Sequence, residues 1–140
     1  MPDGFAGSIT HKGPLTFAVA TGSSQGIGVD VECTEDSDGK LLKRVLVAAE
    51  RSVLDPSDDV RAAITIVAHF AAKEAIYKAL TPELQPNIDF EDIELRLPPY
   101  GTLSRGRWET TPARLIVLTT PIRLALLLDG NWALAVATYG

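Results

Sequence analysis

Phe70-Ala71-Ala72-Lys73-Glu74-Ala75-Ile76-Tyr77-Lys78 closes an almost unbroken apolar run, and its reading decides the fold. From Ala62 to Ala72 the only polar side chains are Thr65 and His69, so the spacing predicts a helix buried on most sides. Pro56-Ser57-Asp58-Asp59 supplies N-cap candidates and acidic first-turn residues, and Thr81-Pro82 stops the helix after about Leu80. Apolar burial gives no reason for the charges at its end. A buried, unpaired charge is costly, so Lys73, Glu74 and Lys78 must be paired, solvated in a cleft or bound to something. Glu74 and Lys78 are four residues apart and share a helix face. An ordinary surface ion pair there would be worth only ~0.3–0.5 kcal/mol. A second motif must decide between such a pair and a site.

Working outward, three β-rich pieces precede the helix: Ser8–His11, Leu15–Thr21 and Gly26–Cys33, punctuated by Gly13-Pro14 and Gly22-Ser23-Ser24. Leu41 to Leu54 carries apolar residues near helical spacing and reads as one or two amphipathic helices. Glu35-Asp36-Ser37-Asp38-Gly39 reads as a solvated loop. Past the helix, alternation over Ile88–Leu97 predicts a strand, ended by Pro98-Pro99-Tyr100-Gly101. Arg114–Thr119, Ile122–Leu128 and Asn131–Tyr139 make three more, the last two joined by the hairpin dipeptide Asp129-Gly130. The expected class is α+β, a single domain over residues 1–140 with an antiparallel sheet packed against one long helix.

The chain has 140 residues, 46% of them hydrophobic, with a mean hydropathy of +0.11. That is enough apolar material for one core. Thirteen Lys and Arg stand against 18 Asp and Glu, a formal charge of −5, which argues against a nucleic-acid binder relying on phosphate neutralisation. The single cysteine, Cys33, excludes an intramolecular disulfide and a Cys-rich zinc site, and fits a reducing compartment. Neither a secretory leader nor a stretch able to span a bilayer is visible, so a soluble, cytoplasmic protein is expected.

Thr21-Gly22-Ser23-Ser24-Gln25-Gly26-Ile27-Gly28 imitates the glycine-rich turn of a dinucleotide-binding fold. That turn must open a helix, whereas Val29-Asp30-Val31-Glu32-Cys33 is a β-branched strand and no Tyr-x-x-x-Lys pair exists, so a nicotinamide site is rejected. The same strand carries the second motif. Alternation points Asp30 and Glu32 to one face, and like charges held this close suggest a cation between them. With Glu74 as a third carboxylate and no His or Cys cluster, the donor set suits a hard ion, Mg²⁺ being the usual one beside phosphates. Gly7-Ser8-Ile9-Thr10-His11-Lys12-Gly13 adds hydroxyls, a histidine and a lysine able to donate to phosphate. His69, inside the apolar helix, is expected to be a satisfied core histidine. Lys43, Arg44 and Arg51, with Lys40 nearby, form a small basic face that is either plain solvated surface or a dock for an acidic partner.

Taken in order, Ser8-Ile9-Thr10-His11, Gly28-Val29-Asp30-Val31-Glu32 and Phe70-Ala71-Ala72-Lys73-Glu74-Ala75-Ile76-Tyr77-Lys78 resemble the motifs of the 4′-phosphopantetheinyl transferases, enterobactin and surfactin type. The resemblance covers residues 7 to about 80 well. It implies that coenzyme A and Mg²⁺ bind and that a carrier-protein serine attacks the β-phosphate, releasing 3′,5′-ADP. It assigns Asp30, Glu32 and Glu74 to the metal, Glu74 also to the serine proton, and Lys73 and Lys78 to phosphate oxygens. His11, flanked by Thr10 and Lys12, is assigned to the pyrophosphate. The partner is an apo acyl or peptidyl carrier protein, with Lys43, Arg44 and Arg51 as its candidate dock. Larger members carry a preceding lobe that this sequence lacks, so a homo-oligomer or a module of a larger synthase is expected. A noncatalytic coenzyme A binding or scaffolding half-domain is the alternative.

Overall fold

The long helix runs Asp59–Ala79, with Asp58 as N-cap accepting the Arg61 N–H at 3.0 Å and Leu80 extended at the C-cap. A computed structural model describes residues 4–22, 26–36, 46–52, 54, 57–96, 108–111, 113–115 and 122–140. Within it the helix lies on a four-stranded antiparallel sheet. The strands are β1 (Ala6–Lys12), β2 (Leu15–Thr21), β3 (Gly26–Cys33), β4 (Ile93–Leu95), β5 (Trp108–Thr111), β6 (Ala113–Leu115), β7 (Ile122–Asp129) and β8 (Trp132–Tyr139). The sheet order is β3-β8-β7-β5, with β1-β2 and β4-β6 as separate two-stranded pairs. The α+β expectation holds. Among the described residues no helix is long and apolar enough to cross a membrane.

Small residues let the helix come unusually near the sheet. Ala71, Ala72, Ala75 and Ala79 are all buried, and they share a core with Ile64, Ile76, Leu124, Leu126 and Ala135. On β3 the facing positions are Gly26 and Gly28. A Cβ on Gly26 would land on the Ala79 carbonyl, and one on Gly28 on the Ala75 carbonyl, with Lys78 Cβ only 2.9 Å away. These glycines therefore serve helix-on-strand approach, not a phosphate-binding turn. By strand alternation Asp30 and Glu32 continue the face of Gly26 and Gly28. The opposite face sends Val29 and Val31 into a second cluster with Leu134, Phe17, Val19 and Trp132 beneath the β1-β2 hairpin.

That hairpin turns at Gly13-Pro14, Gly13 with φ +55° as a tight two-residue turn requires. Side chains hold it to β3: Ser8 Oγ accepts the Val29 N–H at 3.1 Å and Thr10 Oγ1 accepts the Val31 N–H at 3.4 Å. The β7-β8 hairpin pairs Asp129 with Trp132 around Gly130-Asn131, one residue beyond the expected dipeptide, with Gly130 at φ +58°.

The strand expected over Ile88–Leu97 is mostly something else. Short 3-10 turns occupy Gln85–Asn87 and Phe90–Asp92, and among the described residues of that stretch only Ile93–Leu95 forms a strand. The Asp92 carboxylate accepts the Asp89 N–H at 2.9 Å, so the aspartates close a local turn that outcompetes strand pairing. Of the amphipathic stretch Leu41–Leu54, the described part is a four-residue helix, Ala48–Arg51. Residues 37–45, with Lys40, Lys43 and Arg44, lie outside the described residues, as do 116–119 of the expected strand 114–119. The pair β5 was not anticipated.

Gly28→Ala is expected to lower stability by about 1–3 kcal/mol, since the added methyl must displace backbone and not a flexible side chain. Thermal unfolding followed by circular dichroism measures this; an unchanged midpoint would show that the close approach does not require the glycine.

Candidate active site

Where β3 leaves the glycines, carboxylates take over the face that meets the helix. Asp30 is 5% and Glu32 8% exposed. From the helix, Lys78 Nζ donates to the Val29 carbonyl at 3.0 Å and to Asp30 Oδ1 at 3.3 Å. From β1, Thr10 Oγ1 donates to Asp30 Oδ1 at 3.3 Å, and Lys12 pairs with Glu32 Oε2 at 3.1 Å. Glu74, half-buried on the helix, is near enough for its charge to act on Asp30 and for that of Glu32 to act on it. Thr10, Lys12, Asp30, Glu32, Glu74 and Lys78 thus share one cleft.

Burial, then the Glu32 charge, pushes the Asp30 carboxyl up to about 8, against the opposing pull of Lys78. Its Oδ2 is buried and accepts no hydrogen bond. Burial beside Glu32 thus favours the protonated form of Asp30 up to about pH 8. Burial also raises Glu74 above the ordinary carboxylate range, with Lys78 opposing and Glu32 reinforcing. The oxygen-only donor set and the orphaned Oδ2 fit a hard cation. Among the described residues, however, no three such side chains converge as a ligand group, the ammoniums of Lys12 and Lys78 standing against two of the carboxylates.

Two expected site residues lie elsewhere. His11 is exposed, because Ser8, Thr10 and Lys12 take the face of β1 that meets β3 and leave Gly7, Ile9 and His11 on the other. Lys73, expected at phosphate oxygens, lies in the core. Fully buried, its ammonium pairs with Glu50 Oε1 at 2.7 Å and donates to the Phe90 carbonyl at 3.0 Å. Burial lowers its proton affinity, with Glu50 opposing. His69 is the satisfied core histidine expected, its Nδ1–H donating to the Thr65 carbonyl at 2.8 Å. Glu50 was missed. Its sequence signal was weak, a lone acid beside Arg51 on an amphipathic stretch, where exposure is the ordinary reading.

A helix crossing a strand at two glycines, with strand and helix carboxylates meeting just beyond, defines an acidic helix–strand junction on an α+β scaffold. A family model described as the 4′-phosphopantetheinyl transferase superfamily matches residues 26–137, and the chain belongs to that family. It is 33% identical to enterobactin synthase component D of Salmonella typhi over 95 residues, 66% of this chain and 39% of that protein. The chain thus spans about two fifths of that relative's length. In fold it is similar to a holo-(acyl-carrier-protein) synthase of Bacillus anthracis solved in complex with CoA (3′,5′-ADP). There the TM-score is 0.63 at 24% identity, over 81% of this chain and 94% of that one. It is likewise similar to the holo-[acyl-carrier-protein] synthase of Thermotoga maritima, with TM-score 0.58 and 25% identity over 81% and 62% of the two chains.

Folding carries Asp30 from 3.8 to about 8, so between those pH values the folded chain holds a proton that the unfolded chain releases. Stability therefore falls as pH rises through this window, and the raised Glu74 acts in the same sense. With chelator present, wild type should lose stability relative to Asp30→Asn by up to about 1.4 kcal/mol per pH unit. Urea unfolding from pH 5 to 8 reads this difference, and one that stays constant would contradict the buried, protonated Asp30.

Proposed function

We propose that this chain transfers the 4′-phosphopantetheine group of coenzyme A to a serine of an apo acyl or peptidyl carrier protein. The observation that carries the reading is the meeting of buried Asp30 and Glu32 on β3 with Glu74 and Lys78 on the helix. Family membership gives that cleft its chemistry. The serine Oγ forms a bond to the β-phosphorus, the bond from that phosphorus to the bridging oxygen breaks, and 3′,5′-ADP departs with the electron pair.

Glu74 is the candidate acceptor of the serine proton, since its raised proton affinity brings it nearer neutrality, where a general base works best. Lys78 and Lys12 neutralise phosphate oxygens, and Thr10 donates a hydrogen bond to them. Asp30, Glu32 and Glu74 would hold Mg²⁺, which when bound supplies positive charge to the pyrophosphate. His11 remains the candidate contact for the pyrophosphate of coenzyme A, reached from the exposed face of the hairpin. Arg51, exposed at the end of its short helix, remains a candidate carrier contact with Lys43 and Arg44. We place the protein in the cytoplasm as a homo-oligomer or part of a larger synthase. Phe5 and Ile9, 54% and 68% exposed, support a covered hairpin face.

Incubating the chain with coenzyme A, Mg²⁺ and an apo carrier should add one phosphopantetheine to the carrier mass. Glu74→Gln and Asp30→Ala should each cut the rate by at least about 10²-fold with the fold intact. Coenzyme binding without any carrier modification would favour the noncatalytic half-domain, and full activity in either variant would refute the metal assignment.

A further inference from the structure

Glu50 is buried more completely than the transferase chemistry explains. It is 2% exposed and sits at the third position of the helix Ala48–Arg51. Its Oε1 accepts the Val47 N–H at 2.9 Å and the Lys73 ammonium at 2.7 Å, and its Oε2 accepts the Leu95 N–H at 2.8 Å. Lys73 passes the connection to the Phe90 carbonyl at 3.0 Å. The Phe90 ring stands edge-on to Phe70 and Tyr77, with centroids 5.9 and 6.1 Å apart. One carboxylate thereby joins three stretches that are distant in sequence: residues 47–50, the long helix and residues 90–95.

The place of this junction on the helix matters. Consecutive helical residues are turned by about 100° around the axis. Phe70, Lys73 and Tyr77 therefore form one stripe, and Glu74 and Lys78 the stripe beside it. The glycine contacts at Ala75 and Ala79 seat one face of the helix on β3, and the Glu50–Lys73 pair holds a different face. A buried ion pair is a poor device for stability alone, because well-packed apolar residues of similar volume often do as well or better. What a carboxylate with three directed bonds supplies is a single setting.

We infer that Glu50 is a positioning residue: acting through Lys73, it fixes the roll of the long helix and so the place of Glu74 against Asp30 and Glu32. The inference rests on the transferase reading of that cleft, and names a residue acting through the neighbouring stripe of the helix.

The test is the double variant Glu50→Leu/Lys73→Met, which removes both charges and keeps the volume. It should stay folded with a lowered midpoint, the Val47 and Leu95 N–H groups having lost their acceptor, while kcat for carrier modification falls by about 10²-fold and KM for coenzyme A stays within about threefold. Nuclear Overhauser contacts between the Lys78 side chain and Val29 should weaken in the same variant, a readout independent of activity. Glu50→Gln, which keeps one acceptor oxygen, should lose about tenfold in kcat. It decides the matter if the double variant does not fold. A folded variant with wild-type kcat and wild-type Lys78 contacts overturns the inference. If wild type modifies no carrier, the transferase reading fails, and the Lys78 contacts alone decide the positioning role.

Discussion

The near contact of the Ala75 and Ala79 carbonyls with Gly28 and Gly26 is the constraint from which the cleft follows. Two residues farther along the same face of β3, side chains return, and they are carboxylates. Helix and strand are by then too near for water to solvate Asp30 and Glu32 fully, so proton affinity rises at Asp30 and, across the gap, at Glu74. The electrostatics of the site is therefore a consequence of backbone sterics. Two missing methyl groups in β3 set the dielectric surroundings of residues several ångströms away.

A second dependence runs through the hairpin. A two-stranded hairpin is marginal by itself, and this one meets β3 through hydroxyls: Ser8 and Thr10 take alternate N–H groups at Val29 and Val31. Thr10 also donates to Asp30 and so ties the seat of the hairpin to the carboxylate. Lys12 extends the row to Glu32. Every second residue of β1 is thus committed to β3, and the intervening ones, Ile9 and His11 among them, face outward.

The long helix, its cap at Asp58 and the shared face of Asp30 and Glu32 were legible because each follows from a local period or a local cap. The outward place of His11 was legible too, since the alternation that joins Ser8, Thr10 and Lys12 excludes it; motif proximity obscured that signal. The environment of Lys73 was not legible. Its partner Glu50 lies 23 positions away in sequence, and no period connects them. The turn at Phe90 misled for a related reason. Alternating apolar residues suit a strand, but Asp89 and Asp92 close a turn, and the Lys73 ammonium then holds its carbonyl.

Removing Lys73 from the cleft alters the electrostatic argument for a metal. The cleft sets the carboxylates of Asp30, Glu32 and Glu74 against the ammoniums of Lys12 and Lys78. Lys73, engaged by Glu50 inside the core, supplies no further cation there. A pyrophosphate entering this cleft brings more negative charge, and in a poorly solvated site like charges repel more strongly than in water. Protonation of Asp30 relieves only part of this. The divalent cation of the proposed function would offset that charge. On the proposed transferase reading, the positive charge that Lys73 would have brought to phosphate must therefore come from elsewhere.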